Sequence, residues 1–469
     1  MAQIGTETNP LRVAIVGSGP AGFYAVERLF HEERLSVEVD MFDELATPFG
    51  LVRAGVAPDH QKIKSVIRVY DRNARKPNYR FYGNLRYGRD IHLGDLKRYY
   101  HQICFTTGAP TDRSLGIPGE DLASSHAATE FVAWYNGHPD FRDRQFDLSG
   151  EAAAVIGVGN VAIDVARILC RTHEELAATD IADYALDALR QSRIKTVYLI
   201  GRRGPAQAAF TNPEIKEMGE LQDADAEILP AEAALDTVSQ VHMDNHPDKA
   251  VTRKIEILQN YAGREPTGKS RRLIIRFLLS PTELIGDEHG QVKAVHVVKN
   301  ELYADESGNP RPRATEHFET LPANIVFRSV GYRGMPLPDL PFNESWGVIL
   351  NDKGRILTQD KGEPLAGMYA SGWIKRGPTG VIGTNKPDAA ETVECMLEDL
   401  AKDRTLNPTH PEVTQVEQFI KERQPDYVTY SDWLKLDQME IALGQERGRP
   451  RVKFTRTADM LAALRGEMG

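Results

Sequence analysis

Gly17-Ser18-Gly19-Pro20-Ala21-Gly22 follows the apolar run Leu11–Val16, and 140 residues later Gly157-Val158-Gly159-Asn160-Val161-Ala162 follows the apolar run Ala152–Ile156. Each run reads as a buried strand, and each glycine-rich stretch opens an amphipathic helix. In this context the first glycine allows a tight turn and the second lets backbone approach a pyrophosphate. The third position lets helix and strand pack, leaving the anion on helix amides. One match would mean little. Two predict an α/β protein with two Rossmann-like three-layer dinucleotide-binding domains, and two dinucleotides imply electron traffic between them.

The residues downstream of each fingerprint separate the two sites. Asp43 closes the second strand of the first unit, 21 residues after Gly22. An acid there accepts from a ribose 2'-hydroxyl, so the first site suits FAD or NAD; the alternative is an ordinary strand-end residue. In the second unit the run Thr196–Ile200 ends in Gly201-Arg202-Arg203-Gly204-Pro205. Two arginines where an acid would select NAD make this site NADP(H)-selective, because a guanidinium fork matches a 2'-phosphate.

Length and composition bound the rest. A chain of 469 residues is too long for one core, and two dinucleotide domains would fill it. The net charge of -10 disfavours nucleic acid as a partner, and no apolar stretch reaches the ~20 residues that cross a bilayer. The polar residues Ala2 to Pro10 fit neither a signal nor a transit segment, so a cytoplasmic location is expected. Cys104, Cys170 and Cys395 include no Cys-x-x-Cys pair, which argues against a disulfide reductase, and the histidines show no zinc-ligand spacing, so no metal is expected. Locally the charge reverses: residues 61 to 100 carry eleven Lys/Arg against three Asp, and residues 251 to 280 carry seven against two Glu. Such stretches would either steer an acidic partner or form solvated faces, with Arg72, Arg75, Lys76, Arg253, Lys254, Arg271 and Arg272 as the candidate contacts.

The chain is expected to be discontinuous. Residues 1–108 form the first part of the first dinucleotide-binding domain (FAD or NAD), 109–331 an inserted NADP(H)-binding domain, and 332–469 the second part of the first domain with C-terminal helices. A strand near Ile103 closes the first part, and one at Ile325 to Val330 closes the insert. A strand at Gly367 to Trp373 rejoins the first sheet. Leu273 to Leu279 and Val292 to Lys299 read as an antiparallel flap around a turn at Gly286 to Gly290.

The motifs GSGPAGFY, PFGLVRAGVAPDH, GNVAIDVARIL, GRRGPAQAAFT, SGWIKRGPTGVI and Ser431-Asp432-Trp433-Leu434-Lys435 resemble the adrenodoxin reductase family, including its bacterial ferredoxin-NADP(+) reductases, over nearly the whole chain. The resemblance implies FAD in the first domain, NADPH in the second, and delivery of electrons to a ferredoxin-type iron-sulfur protein; a monomer would suffice for this. It implies FAD contacts from Ala21, Asp43, Leu51, Tyr87, Trp373 and the run Gly380, Val381, Ile382, beside Gly17, Gly19 and Pro20 of the fingerprint. It implies NADP contacts from Gly157, Val158, Gly159, Asn160, Val161, Arg202, Arg203 and Glu214. The family often has Glu at the Asp43 position, and some members have Gln at Val158. His60 buffers a proton at the flavin, or helps position the nicotinamide with Glu214, or is a hydrogen-bonded loop histidine. The competing readings are an NADPH-oxidising flavoprotein serving another acceptor, a flavin monooxygenase, and a non-catalytic dinucleotide scaffold.

Overall fold

The computed structural model describes residues 3–467; Met1 and Ala2, the start of the polar N-terminal segment, and Met468 and Gly469 lie outside the described residues. Two parallel-sheet units organise the chain. In the first, β1 (Leu11–Val16), β2 (Val37–Phe42), β3 (Tyr79–Tyr82) and β4 (Gln102–Phe105) join strands from the far end of the chain. The seven-stranded order runs from the hairpin Asn351–Asp352 and Arg355–Leu357 through Pro364–Ala370 to β4, β1, β2 and β3. Pro364–Ala370 pairs parallel with β4, Met368 opposite Ile103, as the expected return strand should.

The sheet is apolar on both faces, as a parallel sheet between helices must be. Val13 and Ile15 point into one core with Phe23 of the first helix, Pro20–Phe30. Ala14 and Val16 point into the other, with Leu96 and Ile420.

The second unit is a six-stranded sheet, Ser125–Ala127, Ile325–Arg328, Ala152–Ile156, Thr196–Ile200, Arg271–Arg276 and Ala224–Ile228 in spatial order. Helices cover one face, where Val155 and Val197 meet Ile163 and Ile215. The other face carries a three-stranded antiparallel arm, whose Leu284, Val295 and Leu321 pack on Ala154 and Ile156. Three layers are present in both units, but in the second the third layer is strands.

That arm corrects the expected flap. Arg271–Arg276 lies in the parallel sheet, paired with Thr196–Ile200 and Ala224–Ile228. The chain then turns at Leu278, whose φ is 57°, and the arm begins at Leu279–Gly286. Val292–Ala304 pairs with it and with a third strand, Pro310–Pro322. Phe277, Leu278 and Leu279 are apolar straight across the turn, so the pattern there carries no mark of where one sheet ends and the other begins.

Candidate functional site

Each fingerprint sits where its sheet reverses strand order, at the carboxyl end of β1 and of Ala152–Ile156. Gly17 has φ 108°, and a Cβ there would stand 2.6 Å from the Thr106 carbonyl oxygen. One at Gly22 would stand 2.5 Å from the Gly17 carbonyl oxygen. Gly19 is different: nothing lies within 4 Å of its absent Cβ, and Pro20 and Ala21 begin a helix whose first amides have no partner inside it. The second turn repeats the pattern. Gly157, at φ 138°, is pressed against the Ser329 carbonyl, while Gly159 faces open space. The Val158 carbonyl accepts from the Ala209 and Phe210 amides at 2.8 and 3.0 Å, and the Asn160 side chain accepts from the Thr211 amide at 2.9 Å. A loop, 208–211, is thereby laid beside the fingerprint, and Val161 packs into the core below.

Asp43 reaches its own glycine turn. Its carboxylate accepts from the Ser18 amide at 2.8 Å, the Ser18 hydroxyl at 2.5 Å and the Leu45 amide at 2.9 Å, and burial raises its pKa against those bonds. Arg202 is exposed and Arg203 half-buried, and among the described residues neither has an ion-pair partner. Burial and the like charges of Arg202 and Arg311 lower the pKa of Arg203. Cations that depress one another without a carboxylate form a site waiting for an anion.

Two segments outside the fingerprints leave large apolar side chains exposed. Leu51 is 39% exposed and Val381 50%. Gly372, at φ 79°, brings the returning chain so close that its Cβ would stand 2.6 Å from that of Ala21. Trp373 comes next, its indole donating to the Thr379 carbonyl at 3.1 Å and its ring 5.1 Å from that of Tyr332. Gly380, φ 79°, and Ile382 complete the turn ahead of helix Asn385–Leu400. Tyr87 stands over the end of β4, edge-on to Phe105, with its hydroxyl held by the Pro338 carbonyl at 2.9 Å.

His60 and Glu214 meet at the seam between the units, inside a larger ionic cluster. His60 Nε2 lies 3.0 Å from Glu217, while its Nδ1 is 3.8 Å from Glu214 and 4.0 Å from Asp164. The short partner is therefore Glu217. Behind them the fully buried Arg167 bonds Asp59 at 2.8 and 3.0 Å, Asp164 at 2.7 Å and Glu214 at 3.2 Å, and Arg171 also reaches Asp59 at 2.8 Å. The ligand-capable atoms of His60, Glu214 and Glu217 lie within 4.8 Å of one another, but Arg167 already supplies a cation beside them.

The cluster has more acids than cations, which fixes its protonation. Burial drives Asp59 up, yet Arg167 holds it far below its usual range. Burial and the Asp164 charge push Glu214 up to about 7. Burial alone would lower His60, and the Glu217 hydrogen bond carries it above its ordinary value. Glu214 and His60 are thus both shifted toward protonation, and Glu214 titrates near neutral pH, where a general acid or base works best. Asp59, Asp164, Arg167 and Glu217 escaped the sequence reading. Their signal was there: Asp164 and Arg167, like Glu214 and Glu217, are three apart on helices Asn160–Cys170 and Asn212–Met218, which puts each pair on one face.

Fold and site together define a class: an α/β protein with two open dinucleotide turns. No protein-family profile matches the chain. NADPH-ferredoxin reductase FprA of Mycobacterium tuberculosis is 46% identical over 96% of the chain and 98% of its own length. The mitochondrial NADPH:adrenodoxin oxidoreductase of Arabidopsis thaliana is 39% identical over 97% of the chain and 96% of its own. The solved structure of M. tuberculosis FprA in complex with NADPH superposes with a TM-score of 0.92 at 44% identity, covering 98% of this chain and all of that one. The chain belongs to the adrenodoxin reductase family.

Proposed function

We propose that this chain is a ferredoxin-NADP(+) reductase, a flavoprotein that passes electrons from NADPH through FAD to a ferredoxin-type iron-sulfur protein. The observation that carries the reading is the pair of open glycine turns, one beside an acid and the other followed by two arginines with no ion-pair partner among the described residues. The full-length relatives named as NADPH-ferredoxin and adrenodoxin reductases support it. The domain division in this reading has 109–331 as the NADPH-binding domain, inserted between 1–108 and 332–469 of the FAD-binding domain.

In this reading Gly17, Gly19, Pro20 and Ala21 cradle the FAD pyrophosphate, and Asp43 stands at its ribose. Leu51, Tyr87, Trp373, Gly380, Val381 and Ile382 line the flavin. Gly157 to Val161 hold the NADPH pyrophosphate, Arg202 and Arg203 its 2'-phosphate, and Glu214 the nicotinamide side. Bound there, FAD supplies the exchange between hydride and single electrons. The protein excludes water from the rings and keeps a proton on His60 or Glu214 for the site.

The acidic partner would dock on the first basic stretch. In the second, Arg253, Arg271, Arg272 and Arg276 are all ion-paired, and Lys254 is buried against the Ala208 carbonyl. In the first, Arg75 pairs with Asp71 and Lys76 lies over the Phe30 ring, while Lys62, Arg68 and Arg72 are without an ion-pair partner among the described residues. The enzyme would work as a cytoplasmic monomer; no helix among the described residues is long and apolar enough to cross a membrane.

A purified yellow protein bleached by NADPH far faster than by NADH, and then reducing a ferredoxin, is the expected result. Equal use of both nucleotides would remove the arginine argument. Oxygenation of a substrate in step with NADPH use would make it a monooxygenase instead.

A further inference from the structure

Helices Tyr430–Glu446 and Thr457–Arg465 both pack into the core of the first unit, through Trp433, Leu436, Met460 and Ala463. The ten residues between them, 447–456, turn instead to the second unit. Arg449, 8% exposed, donates to the Thr179 carbonyl at 2.9 Å and to Asp183 at 2.5 Å, and also bonds the Ile181 carbonyl. Arg447 meets the same Asp183 at 2.7 Å, and Arg456 meets Asp143 at 2.8 Å. Lys453, its side chain 1% exposed, donates to the Asn136 carbonyl of the second unit at 3.1 Å and the Arg53 carbonyl of the first at 3.3 Å. It also lies 3.5 Å from Asp180, which Lys64 of the first unit grips at 2.7 and 2.8 Å. Back on its own side, Arg451 is tied to Glu440, which Arg53 holds at 2.5 and 2.8 Å.

The strap has a mechanical consequence. A buried amine bonded to both units cannot keep its partners if one unit turns against the other, and a buried polar group left without them is strongly disfavoured. The Asp59–Arg167 seam pins the units beside His60, and the strap pins them again through Asn136, Asp180 and Asp183.

We propose that Arg449 and Lys453 are positioning residues: they lock the second unit at one orientation to the first, so that nicotinamide meets flavin without rotation of the domains. The role rests on the proposed NADPH-to-FAD transfer; the lock itself does not. Because Cys104, Cys170 and Cys395 are all buried, nitroxide labels can be placed selectively on Gln191→Cys in the second unit and Lys421→Cys in the first, both exposed positions.

Pulsed dipolar spectroscopy on the holoprotein should give one narrow distance, and Lys453→Met or Arg449→Gln should broaden it. The same variants should lower the limiting rate of flavin reduction by NADPH ~10-fold, since small misplacements of reacting atoms are costly. NADPH affinity, set by Arg202 and Arg203, and reoxidation by a small acceptor should not change. Should Lys453→Met fail to retain FAD, Asp183→Asn, at a side chain 44% exposed, removes the carboxylate that Arg447 and Arg449 share and carries the same test. Unchanged distances overturn the lock, and broadened distances with an unchanged reduction rate overturn the positioning role. A parent protein that NADPH does not reduce would sink the functional reading, while the distances still decide the lock.

Discussion

At the scale of single residues, charge decides what each site selects. Arg203 has no carboxylate to leave, so Arg203→Ala removes only what the anion gains. A charged hydrogen bond contributes about 1.5–3 kcal/mol, so the KM for NADPH should rise roughly 10- to 100-fold while that for NADH stays put. Steady-state kinetics with both nucleotides checks it, and a parallel rise for NADH would refute it. Glu214 makes a second prediction, on stability. Its folded pKa of about 7 lies above the ordinary 4.5, so between those values the folded protein holds a proton that the unfolded chain has released. Stability therefore falls as pH rises through that window. His60, also raised, adds a loss in the same direction above its ordinary 6.5. Urea melts at pH values spanning both windows should show both losses, and Glu214→Gln should flatten the acid part alone. A slope unchanged in that variant would mean the proton sits elsewhere in the cluster.

At the scale of elements, the two glycine turns separate folding from binding. Gly157 and Gly17 are pressed on neighbouring backbone at positive φ, so Gly157→Ala forces strain of about 1–3 kcal/mol as well as a clash. Gly19 and Gly159 face open space, so Gly159→Ala should leave the melting temperature of the nucleotide-free protein nearly unchanged and weaken NADPH binding sharply. Calorimetry of folding and of binding on the two variants would separate these outcomes, and equal loss of stability in both would contradict the assignment. These turns were legible because a strand, a glycine pattern and a helix are all local. So was the return of the chain to the first sheet, where Tyr369 lies opposite Cys104, since its strand is a short apolar run ending in Ser371-Gly372. The boundary between sheet and arm at Leu278 was not legible, because Phe277, Leu278 and Leu279 are apolar straight across it. The third arm strand, Pro310–Pro322, is mostly exposed and reads as polar. The Arg167 cluster was also hidden, because a buried arginine is explained only by acids that sit 108 residues before it and 47 after.

At the scale of the whole molecule, an acidic protein presents a local basic face. The formal charge is -10, yet Lys62, Arg68 and Arg72 stand uncompensated among the described residues, on the segment after the Asp59–His60 loop. Most basic residues elsewhere in the two basic stretches are neutralised by neighbours, as the pairs of Arg271 with Asp223 and Arg272 with Glu227 illustrate. An acidic iron-sulfur protein would feel repulsion from the net charge at a distance and attraction near these cations, which would bias its docking orientation. Exposed charges are screened within about 8 Å at physiological salt. Turnover with ferredoxin should therefore fall as ionic strength rises, whereas turnover with a small neutral quinone should not. Arg68→Glu with Arg72→Glu should raise the KM for ferredoxin and blunt its salt dependence, leaving NADPH reduction of the flavin at the parent rate. If the double variant keeps the parent's ferredoxin KM at low salt, the partner docks on another face.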